Sequence, residues 1–460
     1  MTTAPGRVDA LIIGAGQAGP PLAARLTAAG QTVAVVERKL VGGTCVNYGC
    51  IPTKTLVASA HAAHIARRGA EYGIHTGDVI VDMAAVRARK DQVMQADRQS
   101  VQALLDGMDG CTFLRGHARF TGPNTVTVDD SAVITAKKIF LNVGGRAVVP
   151  DMPGLSDVEY MTNVEILELD TVPDHLVIVG GSYIALEFAQ MYRRFGATVT
   201  VIERGPRLTA REDDDVSQAI ADILTGEGIA IELNATDIQF AKNSNGFHVT
   251  PRTGAAPIAA THVLVAVGRR PNTDDLGLDR AGVEVDERGY IKVDDQLRTT
   301  AEGIWAMGDC NGKGAFTHTS YNDFEIVAAN LLDDDPRRVS DRIDTYALYV
   351  DPPLGRAGLT KAQALRAGRP VLMGKRPMTR VGRAVEKGET QGFMEILVDA
   401  NTQEILGATV LGVGGDEVIH SVLDIMAAKV PYTSIARTMH IHPTVSELLP
   451  TLLQDLTLLT

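Results

Sequence analysis

Cysteine is scarce in this 460-residue sequence, which contains only four. Four cysteines cannot form the dense disulfide framework of a small secreted domain, and the sequence has no CxxC or CxxH pair that could complete a tetrahedral zinc site. The N-terminal run MTTAPGRVDA also lacks the apolar segment of a secretory signal. We therefore expect no structural metal and a reducing compartment, the cytoplasm.

The sequence also has fewer basic than acidic residues and no long apolar run. The sequence has 44 Lys and Arg against 56 Asp and Glu, a formal net charge of -12. This balance disfavours nucleic acid or an anionic membrane surface as the main partner. No apolar run reaches the ~18 residues of a membrane-spanning helix. These absences predict a soluble protein that acts on small molecules.

Aromatic residues make up only 5% of the chain, whereas glycine occurs 45 times. Few aromatics and many glycines are typical of α/β proteins, in which short turns join strands to helices. A chain of 460 residues is too long for one core and suggests about three domains.

The first motif is a glycine-rich turn between a strand and a helix. The run VDALIIGAGQAGPPLAARLTAAG places Gly14, Gly16 and Gly19 at this turn, and TVAVVE returns as a strand that ends in Glu37. Such glycines permit a tight turn and the approach of a pyrophosphate, while the acid binds a ribose hydroxyl. The pattern predicts a dinucleotide-binding unit.

A second copy of this unit begins at HLVIVGGSYIALEFAQ. Gly180 opens its turn and TVTVIE ends in Glu203, so that 23 residues separate glycine from acid in both copies. The second and third glycine positions are Ser182 and Ala185, a weaker form of the fingerprint. Two units imply two dinucleotides, which indicates electron transfer between a tightly held cofactor and an exchangeable one.

Two of the four cysteines lie in GGTCVNYGCIPTK, shortly after the first unit's second strand. Cys45 and Cys50 are surrounded by glycines, and Pro52 suits the first turn of a helix. A helix N-terminus stabilises a thiolate, so one sulfur can attack while the other resolves. A structural disulfide and half a metal site are the alternatives, and a redox-active disulfide is the interpretation that we favour.

Together with the segments GIWAMGD (303–309) and HIHPTVSE (440–447), these motifs resemble the class I pyridine nucleotide-disulfide oxidoreductase family. This family includes glutathione reductase, dihydrolipoamide dehydrogenase and mercuric-reductase-like flavoproteins. The resemblance implies an α/β fold with two Rossmann-like dinucleotide-binding domains and a C-terminal α+β dimerisation domain. The expected limits are 1–149 and 271–338 for the two parts of the FAD domain, 150–270 for the NAD(P)H domain and 339–460 for the interface.

The resemblance also implies the cofactors, FAD in the first unit and NADH or NADPH in the second. The expected FAD residues are Gly14, Gly16, Gly19, Glu37, Gly43, Thr44, Lys54 and Asp309. Those expected at the nicotinamide nucleotide are Gly180, Ser182, Tyr183, Glu203 and Gly268. Glu203 favours NADH because it would repel a 2′-phosphate, although Arg204 and Arg207 follow closely and could pair with that phosphate.

By the same resemblance, Cys45 is the thiol that attacks the substrate and Cys50 the thiol that contacts the flavin. Lys54 would lie near the flavin and pair with Glu187.

Tyr183 could cover the flavin until nicotinamide displaces it. For both Tyr183 and Glu187, routine helix packing is the alternative.

The resemblance implies that His442, oriented by Glu447, acts as acid and base on the disulfide of the other subunit of a homodimer. An imidazole titrates near neutral pH and suits this role. His440, two residues earlier, is expected to be a solvated or capping residue. The C-terminal third predicts two strands in FMEILVDANTQEILGATVLG and helices in DEVIHSVLDIMAAKV and VSELLPTLLQDLTLL.

The electron acceptor stays open among three hypotheses. The His-Glu pair favours reduction of a small disulfide, whereas FTHTSYNDFEIV (316–327) and DPPLGRAGLT (351–360) resemble flavoproteins that reduce mercury or copper. A redox sensor without turnover is the third hypothesis. Tyr48, between the two cysteines, could narrow access, stack on a substrate or pack in the core.

Overall fold

The computed structural model describes residues 5–243 and 246–459. Three large sheets organise the chain. Two are built around parallel strands and the third is antiparallel. No helix within the described ranges is long and apolar enough to cross a membrane.

The first sheet has five parallel strands and an antiparallel extension. Its parallel strands are apolar almost throughout, as expected of strands covered on both faces. In spatial order the parallel strands are Cys111–Arg115, Val33–Glu37, Arg7–Ile13 and Ala132–Leu141, with Ile304–Ala306 beside the end of the last. The antiparallel extension is Thr125–Val128, next to Ala132–Leu141, and then Ala118–Gly122. The helices of this part of the chain are Gly19–Ala28, Gly43–Tyr48, Cys50–Arg67, Met83–Asp106 and Thr317–Leu332.

The second sheet is entirely parallel and belongs to the second dinucleotide unit. Its strands, in spatial order, are Ala230–Glu232, Thr198–Ile202, His175–Val179, His262–Val265 and Tyr160–Met161. Its helices are Tyr183–Phe195 and Asp214–Gly226. A small antiparallel sheet of Gln239–Asn243, Gly246–Thr250 and Ile258–Ala260 extends this unit.

The chain enters and leaves this second unit through one antiparallel pair of short strands, Gly145–Ala147 and Arg269–Pro271. Short 3-10 helices occur along the chain at Arg68–Tyr72, Leu155–Asp157, Glu165–Glu168, Leu278–Ala281, Gly308–Asn311, Val339–Asp341 and Met378–Arg380.

The third sheet is antiparallel and occupies the C-terminal part. In spatial order its strands are Thr345–Leu348, Leu354–Gly358, Ile405–Leu411, Phe393–Asp399, Val371–Pro377 and Thr457–Leu458. Its helices are Lys361–Arg366, Gly382–Glu386, Gly415–Ala427, Thr433–Ala436 and Leu448–Leu452. The two strands and the first helix predicted for this part are confirmed.

The second predicted C-terminal helix is wrong over most of its length. Only Leu448–Leu452 of this run is helical, and Thr457–Leu458 pairs instead with the strand Val371–Pro377. Pro450 lies in the first turn of this short helix, where proline is tolerated, but it would lie in the interior of a helix that began at residue 445, where proline is not tolerated. Val445, Leu453 and Leu456, which lie outside the short helix, pack into the core of the C-terminal part, whereas Leu458 is exposed.

One apolar cluster joins the three parts of the molecule. It contains Leu56 of the helix Cys50–Arg67, Leu186 of the helix Tyr183–Phe195, and Leu354 of the C-terminal sheet, all nearly inaccessible to solvent. Burial of a leucine side chain contributes roughly 1.5–3 kcal/mol. This shared core fixes the two helices that carry the candidate site.

Candidate active site

The two motif cysteines lie near the starts of two successive helices, one short and one long. Cys45 belongs to the helix Gly43–Tyr48, and Cys50 is the first residue of Cys50–Arg67. Both are half-buried free thiols. Pro52 lies in the first turn of the second helix, where its missing donor costs nothing.

Cys50 is surrounded by groups that stabilise a thiolate. The Cys45 thiol hydrogen-bonds to it, the Thr317 Oγ1 lies 3.2 Å from its Sγ, and the charge of Lys54 adds to their effect. Although burial opposes them, they lower the pKa of Cys50 to about 6. The pKa of Cys45 is raised, because it donates to Cys50 and is itself buried. The reduced pair therefore holds its negative charge on Cys50.

Lys54 and Glu187 form an ion pair between the two dinucleotide units. Lys54 Nζ lies 2.6 Å from Glu187 Oε2, and Glu187 is only 5% exposed. The other carboxylate oxygen accepts a hydrogen bond from the Tyr349 backbone N–H at 3.0 Å, and Lys54 Nζ lies 4.6 Å from the centre of the Tyr349 ring. The structure thus brings Cys45, Cys50, Lys54 and Glu187 together.

The first glycine-rich turn packs too closely to accept side chains. A Cβ on Gly14, which has φ +102°, would lie 2.2 Å from the Asn142 carbonyl oxygen. A Cβ on Gly19 would lie 2.5 Å from the Gly14 oxygen, and one on Gly43 would lie 2.8 Å from the Gly16 Cα. The loop of the cysteine motif is therefore held directly against the turn.

Two carboxylates complete this first unit. Glu37 accepts hydrogen bonds from the Ala15 and Lys39 backbone N–H groups at 2.9 and 2.8 Å, which leaves further lone pairs for hydroxyl donors. Asp309 Oδ2 lies 3.5 Å from Arg269 Nε, and burial raises the pKa of its carboxyl group. These acids and the bare glycine backbone fit the ribose, pyrophosphate and ribitol of an FAD.

Thr44 and Gly268 lie where the first unit meets the connecting strands. Arg269, next to Gly268, places its guanidinium 3.5 Å from Thr44 Oγ1 and donates to the Gly145 carbonyl at 2.6 Å. Arg269 thereby links Asp309 to the cysteine loop. The sequence reasoning missed Arg269, although its position beside Gly268 was a usable signal.

The second glycine-rich turn has the same form. A Cβ on Gly180 would lie 2.4 Å from the Ala266 carbonyl oxygen. Ser182 has extended backbone before the helix that starts at Tyr183, and Glu203 accepts a hydrogen bond from the Gly205 N–H at 2.7 Å. The small residues in place of the second and third glycines preserve the strand-turn-helix arrangement.

His442 and Glu447 lie apart from the cysteines of their own chain. His442 Nδ1 is 2.9 Å from Glu447 Oε2, and the His442 side chain is 80% exposed. No hydrogen bond or ion pair between the described residues joins this pair to Cys45 or Cys50. The imidazole is oriented by the carboxylate, and its Nε2 is left for another partner.

The structure also gives the surroundings of Tyr48 and Arg207, two residues for which the sequence left more than one role open. Half-buried Tyr48 is anchored through its carbonyl oxygen, which accepts from Asn163 Nδ2 at 2.8 Å. Arg207 pairs with Asp214 and donates to the Ala210 carbonyl at 3.1 Å.

Within the described ranges, no group of three or more His, Cys, Asp and Glu side chains is arranged to hold a metal ion.

Comparison with known proteins identifies the class to which this fold and site belong. Residues 8–323 match the family described as pyridine nucleotide-disulphide oxidoreductase, and residues 345–453 match the dimerisation domain of the same family. The chain therefore belongs to the pyridine nucleotide-disulfide oxidoreductases, enzymes that use FAD and take electrons from NAD(P)H. The predicted family, fold class and cofactors are confirmed, and the dimerisation domain supports a homodimer.

Individual relatives show where the chain falls within the family. It is 36% identical over 448 residues to the probable pyridine nucleotide-disulfide oxidoreductase RclA of Escherichia coli, covering 96% of this chain and 97% of that protein. It is 34% identical to a mercuric reductase of Bacillus cereus, covering 90% of this chain and 66% of that protein. The solved Cu(II) complex of the HOCl-induced flavoprotein disulfide reductase RclA from Escherichia coli matches with a TM-score of 0.89 and 36% identity, covering 97% and 100% of the two chains.

Proposed function

We propose that this flavoprotein oxidises NADH and reduces a small disulfide through the Cys45–Cys50 pair. One observation carries the proposal. The two cysteines lie in a site that stabilises a thiolate, and this site is joined to both dinucleotide units, because Lys54 of the first unit pairs with Glu187 of the second at 2.6 Å. A dithiol that served only as a structural link would need neither a lowered Cys50 pKa nor this cation.

FAD, held by the first unit, would supply two-electron transfer from the nicotinamide to the disulfide. Gly14, Gly16, Gly19, Gly43 and Thr44 would surround its pyrophosphate. Glu37 would bind its adenosine ribose and Asp309 its ribitol. Lys54 would supply positive charge beside the isoalloxazine, where a fixed cation stabilises developing negative charge.

The second unit would bind NADH in preference to NADPH. Gly180 and Ser182 leave backbone space for the pyrophosphate, and Glu203 would accept from the ribose hydroxyls. Arg207, which could otherwise pair with a 2′-phosphate, is already bound to Asp214. Tyr183, the first residue of the helix, would be displaced when nicotinamide enters.

The thiol chemistry follows from the ionisation of the pair. The Cys45 sulfur attacks one sulfur of the substrate disulfide, which forms a mixed disulfide and releases a thiolate. His442 of the partner subunit, oriented by Glu447, takes the Cys45 proton and returns it to that thiolate. The Cys50 thiolate then attacks the Cys45 sulfur, which restores the disulfide and releases the second half of the substrate as a thiolate that takes its proton from solvent.

Reduction of a soft metal ion is the second candidate. The similarity to a flavoprotein solved as a Cu(II) complex, together with the similarity to mercuric reductase, favours it. In that reaction the two thiols would bind the ion, and no leaving thiolate would need a proton from His442.

Steady-state NADH oxidation tests both candidates. Oxidised glutathione, lipoamide, Cu(II) and Hg(II) would be compared as acceptors, each with NADH and with NADPH. Stimulation by a disulfide supports the first function, and stimulation by a metal ion alone supports the second. A lack of stimulation by every acceptor would leave only a redox sensor without turnover.

The variant His442→Ala separates the two enzyme reactions. We expect turnover with a disulfide to fall by about 10²-fold, in line with the loss of a general acid-base. The formation of two titratable thiols by NADH should stay near the wild-type rate, and so should turnover with a metal ion. Equal slowing of thiol formation and disulfide turnover would contradict the proton-transfer role.

We also propose the domain limits 1–149, 150–270, 271–338 and 339–460. In support, the paired connections at Gly145–Ala147 and Arg269–Pro271 lie at the two crossings into and out of the second unit. The outer limits at residues 1 and 460 lie outside the described residues.

A further inference from the structure

A row of polar side chains crosses the antiparallel C-terminal sheet. The register pairs Tyr346 with Arg356, Arg356 with Thr409, and Thr409 with Glu395. Directly opposed residues on neighbouring strands project to the same face. Arg356, Thr409 and Glu395 are each only 1% exposed. Because buried polar groups are costly without partners, this face requires a polar surface opposite it.

That surface is the acidic turn before the helix Asp214–Gly226 of the second unit. Tyr346 Oη donates to Glu212 Oε1 at 2.7 Å. Arg356 Nε lies 3.9 Å from Glu212 Oε2, and its Nη2 lies 3.7 Å from Asp213 Oδ2. Glu212 is 2% exposed, so its charge is balanced within the protein.

Glu212 also accepts a hydrogen bond from the Tyr183 hydroxyl, on the same Oε1 that Tyr346 uses. The Tyr183 and Tyr346 rings lie 5.6 Å apart, and Tyr346 stacks on Phe316 with an interplanar angle of 8°. Phe316 directly precedes Thr317, the residue beside Cys50. The carboxylate thus holds two rings, those of Tyr183 and Tyr346, of an aromatic chain that leads toward the dithiol.

We propose that Glu212 is a positioning residue for Tyr183 and sets the affinity of the second unit for the nicotinamide nucleotide. Its carboxylate, backed by Arg356 and shared with Tyr346, holds the Tyr183 ring in place. A hydrogen bond to a charged acceptor is stronger than one between neutral groups. In the proposed function, nicotinamide binds where the Tyr183 ring has been displaced. Because the bond to Glu212 lowers the fraction of protein in that conformation, it weakens nucleotide binding.

This inference rests on the proposed function, in which nicotinamide displaces Tyr183. The test is the dissociation constant of the oxidised holoenzyme for NAD⁺, measured by titration calorimetry. We expect Tyr183→Phe and Glu212→Gln each to tighten binding by about fivefold, since each weakens a charged hydrogen bond. In the Tyr183→Phe background, Glu212→Gln should add no further change.

Two results would overturn the inference. One is an unchanged affinity in Tyr183→Phe. The other is an equal effect of Glu212→Gln with and without the Tyr183 hydroxyl, which would assign Glu212 to domain packing alone. Glu302→Gln, at an exposed glutamate, is the matched control and should leave the affinity unchanged.

Tyr346→Phe provides a second test that keeps the buried charge pair intact, should Glu212→Gln fail to fold. With Tyr346 removed as a donor, Tyr183 alone binds Glu212 Oε1, so NAD⁺ binding should weaken by about twofold. Unchanged or tighter binding would count against the shared carboxylate. Thiol formation by NADH in the wild-type enzyme is measured separately, and its absence would refute the proposed function without altering this comparison.

Discussion

The ionisation of Cys50 depends on individual neighbours at short range. The Cys45 thiol, the Thr317 hydroxyl and the Lys54 ammonium all lower its pKa, whereas burial raises it. The resulting value of about 6 lies below the ordinary 9.0 of a cysteine. The thiolate is therefore present above pH 6 and is lost as the pH falls through that value.

Removal of the Thr317 hydroxyl gives the first prediction. Thr317→Val keeps the side-chain shape but deletes a hydrogen bond to the thiolate, so the first ionisation of the reduced pair should rise by about one pH unit. The pH dependence of inactivation of the NADH-reduced enzyme by iodoacetamide would show the change. Cys111→Ser is the control and should titrate as wild type; an unmoved midpoint in Thr317→Val would exclude the hydrogen bond as a cause.

Some residues of this site could be predicted from the sequence and others could not. Cys45, Cys50 and Lys54 lie in one motif, and the family resemblance paired Lys54 with Glu187 across 133 positions of sequence, a contact that the structure contains. Thr317 carried no comparable signal, because a threonine at a helix start is also typical of an ordinary helix terminus. Its role depends on a contact that only the folded chain creates.

At the scale of elements, the helix Tyr183–Phe195 holds the segment that precedes the strand Leu354–Gly358. Gln190 exchanges two hydrogen bonds with the Asp351 backbone, at 2.7 and 2.8 Å. One turn further along, Arg194 pairs with Asp351 at 2.5 Å and with Glu227 at 2.7 Å. Residues four apart share one face of a helix, so a single face clamps the C-terminal sheet to the second unit.

The second prediction concerns Arg194, whose side chain is 5% exposed. Arg194→Ala leaves Asp351 and Glu227 partly buried without their cation, so the free energy of unfolding should fall by about 3–5 kcal/mol. Urea denaturation would measure this loss. Arg298→Ala, which removes an exposed pair with Asp294, should cost about 1 kcal/mol or less. Similar losses in the two variants would show that the clamp contributes little.

The third prediction is a pH dependence at the same clamp. His61 Nδ1 lies 2.7 Å from Asp351 Oδ2, and this hydrogen bond raises the pKa of His61 above 6.5. Although burial alone would raise the pKa of Asp351, its bonds to His61 and Arg194 lower it, so Asp351 stays ionised. The stabilisation by His61 is therefore complete below pH 6.5 and is lost as the pH rises through the raised pKa.

His61→Ala should accordingly destabilise the protein more at pH 6 than at pH 8.5, as measured by urea denaturation at both pH values. His75→Ala, at an exposed histidine, should show no such difference. A loss in His61→Ala that is equal at the two pH values would assign His61 to packing instead.

Element prediction from the sequence succeeded where periodicity and turn residues agreed. The two dinucleotide units and the strands Phe393–Asp399 and Ile405–Leu411 follow from such patterns. The polar row from Tyr346 to Glu395 does not, because strand register depends on pairing between segments distant in sequence. The tail run VSELLPTLLQDLTLL predicts a helix wrongly, because apolar residues at helical spacing also suit a segment that packs on a sheet.

At the scale of the whole molecule, the segment around His442 leaves large apolar side chains uncovered within one chain. Met439 and Ile441 are 95% and 80% exposed beside the exposed His442. Large apolar side chains grouped on a surface mark an interaction site. The family's dimerisation domain covers this segment, so a second copy of the chain is the expected partner.

The last prediction tests whether the partner subunit completes the site. Homodimers of Cys45→Ser lack the attacking thiol, and homodimers of His442→Ala lack the acid-base, so both should be slow with a disulfide. In a hybrid dimer, the His442→Ala subunit supplies the cysteines and the Cys45→Ser subunit supplies His442. One of the two sites is then intact, and two-fold symmetry predicts about half of wild-type activity per hybrid dimer.

Hybrid dimers would be purified with a different affinity tag on each subunit, and their turnover with a disulfide would be measured. A mixture of the two variant homodimers, kept from exchanging subunits, is the control. If His442 acted within its own chain, both sites of the hybrid would lack one group, and the hybrid would be as slow as the parent variants. Recovery of activity in the hybrid alone would require the exposed His442–Glu447 pair to reach across the interface, because no other arrangement brings an intact cysteine pair and an intact histidine together.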